Sequence, residues 1–141
     1  MADGLRILLV EDDLEHLQLT KYILKRNHVP GEVVVVRDGQ EAIDFLYGRN
    51  KYAGATNGKP NLVLLDLNIP RIDGKEVLRI MKHDNALKDI PVVVVSSSNR
   101  QEDITFAEQS GASGYISKSG GFEKLNEALS SVHLLASKLV R

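Results

Sequence analysis

The chain contains no cysteine in 141 residues. Disulfides and thiolate metal sites are therefore excluded, and the composition fits a reducing compartment. An excess of either charge is also missing. With 18 basic and 19 acidic side chains the formal net charge is -1, which gives no support for a nucleic-acid or acidic-membrane partner. Long apolar runs are absent too. The amino terminus, MADGLRILLVEDD, has acids on both sides of a short apolar run, so it reads as neither a signal peptide nor a transmembrane helix. A cytoplasmic protein without a membrane partner is the expectation. No repeat, low-complexity tail or second domain is visible, and 43% hydrophobic content is ordinary for a globular protein. A single domain over residues 1–141 follows.

What is present is a regular alternation. Arg6 to Val10 is an apolar run that stops at Glu11-Asp12-Asp13 and reads as a buried strand. Leu14 to Asn27 reads as a helix with Leu17, Ile23 and Leu24 inward, broken by His28-Val29-Pro30-Gly31. Glu32 to Val36, with four valines, is a second buried strand. Asp38 with Glu41 resembles a capping box, and that helix buries Ala42, Phe45 and Leu46 before Gly48 closes it. A polar loop over residues 49–60 leads to a third strand, Asn61 to Asp66. Asp73 caps a helix that buries Val77, Leu78 and Met81. Pro91 to Ser96 is a fourth strand, and Asn99 with Glu102 opens a helix ending at Gly111. Ala112 to Ser117 is a fifth strand, and the last helix carries Phe122, Leu125, Leu129, Val132 and Leu139 along one stripe.

Strands alternating with helices, several of them valine-rich, predict a five-stranded parallel sheet covered by helices on both faces. The expected order is 2-1-3-4-5. In such sheets ligands bind beyond the carboxyl ends of the strands. Glu11 and Asp12 follow the first strand, Asp66 ends the third, Ser96 ends the fourth and Lys118 follows the fifth. Three acids, a hydroxyl and a lysine are thus expected to face one pocket. Clustered carboxylates repel one another, and a hard divalent cation such as magnesium removes that repulsion. Asp66 could then attack phosphorus as a carboxylate nucleophile. Lys118 and the metal would neutralise the phosphoryl oxygens, and Ser96 would donate to one of them.

Taken together ILLVEDD, LLDLNIPRIDG, PVVVVSSS and GYISKS, in this order and spacing, resemble the receiver domain of two-component response regulators over essentially the whole chain. The resemblance implies that Asp66 is the phosphoacceptor, with a sensor histidine kinase as donor and magnesium as cofactor. It places Asp12 as a direct metal ligand, Glu11 as one acting through water, and the Asn68 backbone carbonyl as a third protein ligand beside Asp66. It makes Ser96 the hydroxyl switch residue, Lys118 the family's lysine and Tyr115 the aromatic switch position. The long loop before the third strand, the lack of an output segment and the Lys118-Ser119 pair look like the phytochrome-associated branch. Output would then run through a downstream protein partner or a homodimer, by a surface around Ile104, Phe106, Tyr115 and the final helix. One departure stands out. Receivers commonly have proline after this lysine, joined by a cis peptide, whereas this chain has Ser119. A cis bond before a non-proline residue costs about 2.5–4 kcal/mol. Either a trans 118–119 peptide with an altered loop or a strained cis bond is expected.

Other readings are weaker. A lone Asp66 would be an ordinary turn residue; four further groups at strand ends reverse that reading. Asp13 reads as a helix-start acid, and Asp38 and Asp73 as caps. Tyr115 alone would be a half-buried aromatic packed on the last helix. GATNGKP lacks the spacing and the Ser/Thr of a phosphate loop. His16, His28, His83 and His133 lack metal spacing and read as surface residues. The Ser96-Ser97-Ser98 run has no hydrolase framing. A magnesium-dependent aspartyl-phosphate phosphohydrolase is the enzymatic alternative, but such enzymes often carry a second carboxylate two residues after the nucleophile, where this chain has Asn68. A signalling protein is therefore expected rather than an enzyme, with a phosphate-independent adaptor as the third reading.

Overall fold

The structure, a computed structural model, describes residues 6–29, 31–53, 59–98, 100–119 and 123–130. Five parallel strands alternate with helices: β1 (Arg6–Val10), α1 (Leu14–Arg26), β2 (Glu32–Val36), α2 (Gly39–Tyr47), β3 (Leu62–Leu65), α3 (Gly74–Lys82), β4 (Val92–Ser96), α4 (Gln101–Gln109) and β5 (Gly114–Ser117). Residues 123–130 form a further helix, α5. The sheet order is β2-β1-β3-β4-β5, as expected from the alternation. β1 aligns Val10 with Val36 on one side and with Leu65 on the other, so the carboxyl ends of the three strands lie level.

Strand side chains alternate between two cores. Leu8, Val10, Val63, Leu65, Val92 and Val94 pack with α2, α3 and Ala107 of α4. Ile7, Leu9, Leu62, Leu64, Val93, Val95 and Ile116 pack with Leu17, Ile23 and Leu24 of α1 and with Leu125 and Leu129 of α5. Three expectations change. β2 is buried fully only at Val36, because it is a sheet edge with one neighbour. Tyr115 packs with the α4-side core while Ile116 meets α5, so strand alternation turns the tyrosine away from Leu125 and Leu129 of the last helix. Phe45 is only half-buried, because it covers the core from outside and meets Tyr52 edge-on at 5.1 Å. Tyr52 belongs to a 3₁₀ turn (Asn50–Tyr52) inside the expected polar loop. Of the last-helix stripe, Phe122, Val132 and Leu139 lie outside the described residues.

Local chemistry sets the helix starts. Asp13, Asp38 and Asp73 each accept the backbone N–H three residues on, the arrangement of an N-cap worth about 1 kcal/mol. Glu41 accepts from the Arg37 N–H at 2.9 Å rather than from the cap residue itself, so the box is displaced by one position. Two glycines let the loop after β3 lie flat against its neighbours. Gly39 donates to the Pro70 carbonyl at 3.1 Å, and a Cβ there would collide with the Ile72 backbone. Gly74 donates to the Leu67 carbonyl at 3.0 Å, and a Cβ there would overlap the Asp66 carbonyl.

The start of α4 is built differently. Asn99, expected as its cap, lies outside the described residues, and Arg100 takes the N-cap position without a side-chain bond. Among the described residues Asp103, 4% exposed, ties down this end. Its carboxylate meets Ser98 Oγ at 2.5 Å, Lys75 Nζ from α3 at 2.7 Å and Arg100 Nε at 3.4 Å. The hydrogen bond from Lys75, and then that from Ser98, hold its carboxyl down at about 2.

Two outcomes follow. Gly74→Ala should lower stability by about 2 kcal/mol or more, read as a lower urea midpoint, because the clash is with backbone that cannot step aside. Asp103→Asn tests the α4 anchor. A depressed carboxyl stabilises the fold above its ordinary value of 3.8, and that contribution is lost as pH falls through about 2. The variant should be about 1–3 kcal/mol less stable at neutral pH, with the difference shrinking across that acid window in pH-dependent urea unfolding.

Candidate functional site

The carboxyl ends of β1, β3 and β5 converge on an open cavity of about 510 Å³. Its lining includes Glu11, Asp12, Asp66, Asn68 and Lys118, five of the residues singled out in the sequence. Backbone bonds position them. Glu11 N–H donates to the Val36 carbonyl at 3.1 Å and Asp66 N–H to the Val10 carbonyl at 3.1 Å, so both acids continue the sheet's hydrogen bonding past the strand ends. Lys118 N–H donates to the Ser96 carbonyl at 2.8 Å and places the lysine beside them.

At the centre the Lys118 ammonium donates to Glu11 Oε1 at 2.7 Å and to Asp66 Oδ2 at 3.0 Å. All three side chains are sealed, at 3%, 3% and 7% exposure. The remaining Asp66 oxygen accepts the Asn68 N–H at 3.0 Å. Burial pushes the Glu11 carboxyl up to about 7; the bond from Lys118 opposes this and the charge of Asp66 adds to it. Burial alone would lower the Lys118 ammonium, but the bond to Glu11 and the charges of Asp66 and Glu11 outweigh it, and its affinity for the proton rises.

One lysine faces three acids here. Carboxylate oxygens of Glu11, Asp12 and Asp66 lie within 4.8 Å of one another. An all-oxygen cluster with surplus negative charge, open to solvent on one side, fits a hard divalent cation that retains water ligands.

The switch positions sit at the edge of this centre. Ser96 ends β4 but is fully buried and does not line the cavity; Ser97 does. The Ser96 hydroxyl faces the interior and accepts the Ser98 N–H at 3.1 Å. Tyr115 is half-buried, and its hydroxyl donates to the Ser98 carbonyl at 2.7 Å. Ser98 therefore joins Ser96, Tyr115 and Asp103, a connection that a serine run in sequence does not disclose. No peptide among the described residues is cis, so Lys118–Ser119 is trans. Ser119 folds back on Ser117, donating its N–H at 3.2 Å and sharing a hydroxyl contact of 2.6 Å. His16, read from sequence as a scattered surface histidine, lines the cavity with its Nδ1 at 3.2 Å from Lys118 Nζ. Its place one turn after Asp12, in the first turn of α1, was the available signal.

Comparison with known proteins agrees with this geometry. The family described as the response regulator receiver domain matches residues 7–130. Response regulator Rcp1 of Synechocystis sp. is 38% identical over 119 residues, 84% of this chain and 80% of its own length. The phosphorylated cyanobacterial phytochrome response regulator RcpA superposes with a TM-score of 0.85 at 39% identity, covering 96% of each chain. The Mn(2+)-bound form of Rcp1 gives 0.83 at 35% identity, covering 90% of each. Five parallel strands in the receiver order, an acidic cluster at their carboxyl ends and a family match over most of its length lead to one conclusion: the chain belongs to the receiver domain family of response regulators, the phosphorylation-dependent signalling modules.

Proposed function

We propose that the chain acts as one receiver unit whose phosphoacceptor is Asp66. The observation that carries this reading is the buried Lys118 ammonium bonded to both Glu11 and Asp66 at the mouth of a solvent-open cavity. A buried carboxylate so held keeps one face for an incoming phosphorus. An Asp66 oxygen attacks phosphorus and a P–O bond forms. The bond from phosphorus to the donor breaks, and its electron pair leaves with the donor, the imidazole of a sensor histidine kinase, which takes a proton from water. The product is an acyl phosphate. Lys118 neutralises a phosphoryl oxygen as charge develops.

The metal proposed is magnesium, held by Glu11, Asp12, Asp66 and the Asn68 backbone carbonyl, and when bound it supplies positive charge to the phosphoryl oxygens. The manganese-bound Rcp1 relative supports a divalent site of this kind. Asn68 offers neither a proton donor nor a base for hydrolysis, which favours signalling over the phosphohydrolase alternative.

Phosphorylation adds charge and strong acceptors. Ser96 is proposed to turn its hydroxyl to a phosphoryl oxygen, releasing the Ser98 N–H. Because Ser98 also holds Tyr115 and Asp103, the β4–α4 loop and the aromatic side chain would follow. The surface around Ile104, Phe106 and Tyr115 then changes its fit to a downstream protein or to a second copy. The likeness to a phytochrome response regulator supports a phytochrome-type kinase as donor. No described helix is long and apolar enough to cross a membrane, and the net charge of -1 offers nothing to nucleic acid; a cytoplasmic setting is proposed on that footing.

Incubation with acetyl phosphate and magnesium should add one hydroxylamine-labile phosphoryl group by intact mass. Chelation of the metal or Asp66→Asn should abolish it, and Lys118→Ala should slow it about a hundredfold. Equal labelling of wild type and Asp66→Asn would sink the proposal.

A further inference from the structure

We infer that His16 is a positioning residue for Lys118, one that keeps the ammonium aimed at Asp66 while its carboxylate partners change state. The inference rests on Asp66 being the phosphoacceptor. An ammonium has three N–H donors and no acceptor. Lys118 spends them on Glu11 Oε1 at 2.7 Å, Asp66 Oδ2 at 3.0 Å and His16 Nδ1 at 3.2 Å. The third contact sets the roles: an ammonium can only donate, so His16 Nδ1 is the acceptor.

Two of the three partners are engaged by the reaction itself. Asp66 becomes an ester, and Glu11 belongs to the acidic cluster that a cation would draw in. His16 is neither, so its bond to Lys118 persists when the other two are rearranged. The histidine is itself held in place. Asp13 caps α1 by accepting the His16 N–H at 3.0 Å, and Asp13 Oδ2 lies 3.9 Å from the same His16 Nδ1. Leu17 N–H closes the same turn on the Asp13 carbonyl at 2.9 Å. A lysine has four rotatable carbons, so an acceptor that does not take part in the chemistry limits where its charge can go.

The test pairs kinetics with a structural readout. In metal-free protein, nitrogen NMR of the imidazole should show the His16 Nδ1 resonance shifting in Lys118→Met; an unchanged resonance would overturn the contact. His16→Leu removes the acceptor, whereas His16→Asn restores an oxygen at the same branch point. Phosphorylation by acetyl phosphate at saturating magnesium should slow about fivefold in His16→Leu, in the maximal rate rather than in the donor concentration for half-saturation, with thermal stability unchanged. His16→Asn should recover to within about twofold of wild type. Wild-type rates in His16→Leu, or no recovery in His16→Asn, would overturn the positioning role while leaving Asp66 as acceptor. If wild-type protein is not labelled on Asp66 at all, the phosphoacceptor reading fails, and this role fails with it.

Discussion

The bond on which the rest of this molecule depends joins the Lys118 ammonium to Glu11 and Asp66. Two carboxylates and an ammonium largely buried at strand ends would each be unfavourable alone. Together they offset one another's desolvation, and the residual negative charge, with Asp12 beside it, is what leaves room for a cation. Burial raises the Glu11 carboxyl, while the bonds and charges of Glu11 and Asp66 strengthen the hold of Lys118 on its proton against that same burial.

The sheet exists to deliver those groups. Lys118 is 107 residues from Glu11 and 52 from Asp66. Parallel pairing brings the carboxyl ends of β1 and β3 level, and the Lys118 N–H bond to Ser96 ties the end of β5 to that of β4. Both cores fill the two faces of the sheet with aliphatic side chains, so the ends are held by packing on either side. Gly39 and Gly74 complete the arrangement by letting the loop that follows Asp66 press against the starts of α2 and α3.

A second polar network lies next to the first. Ser98 accepts Tyr115 through its carbonyl, donates its N–H to Ser96 and donates its hydroxyl to Asp103, which in turn holds Lys75 of α3. The two networks meet at Ser96, whose hydroxyl belongs to the second and whose carbonyl holds Lys118. A change in charge at Asp66 therefore has a short physical path to the α4 surface.

The linear order of residues determined the architecture. Valine-rich runs between capped, amphipathic stretches admit few solutions other than a parallel sheet, and Asp13, Asp38 and Asp73 announce their helices by local hydrogen bonding alone. The acids and the lysine stood out in the sequence because each follows a strand end, and the structure gathers Glu11, Asp12, Asp66 and Lys118 around one cavity. Tertiary structure decided what depends on direction and distance. Strand alternation put Tyr115 on the α4 side and buried Ser96 while Ser97 reached the cavity. The edge position of β2 left Val33, Val34 and Val35 half-buried. His16 became a partner of Lys118, and Asp103 a partner of Lys75, because contacts spanning 102 residues or linking two helices carry no local signature. Side-chain periodicity is encoded between near neighbours, whereas the meeting of loops is set by how whole elements pack.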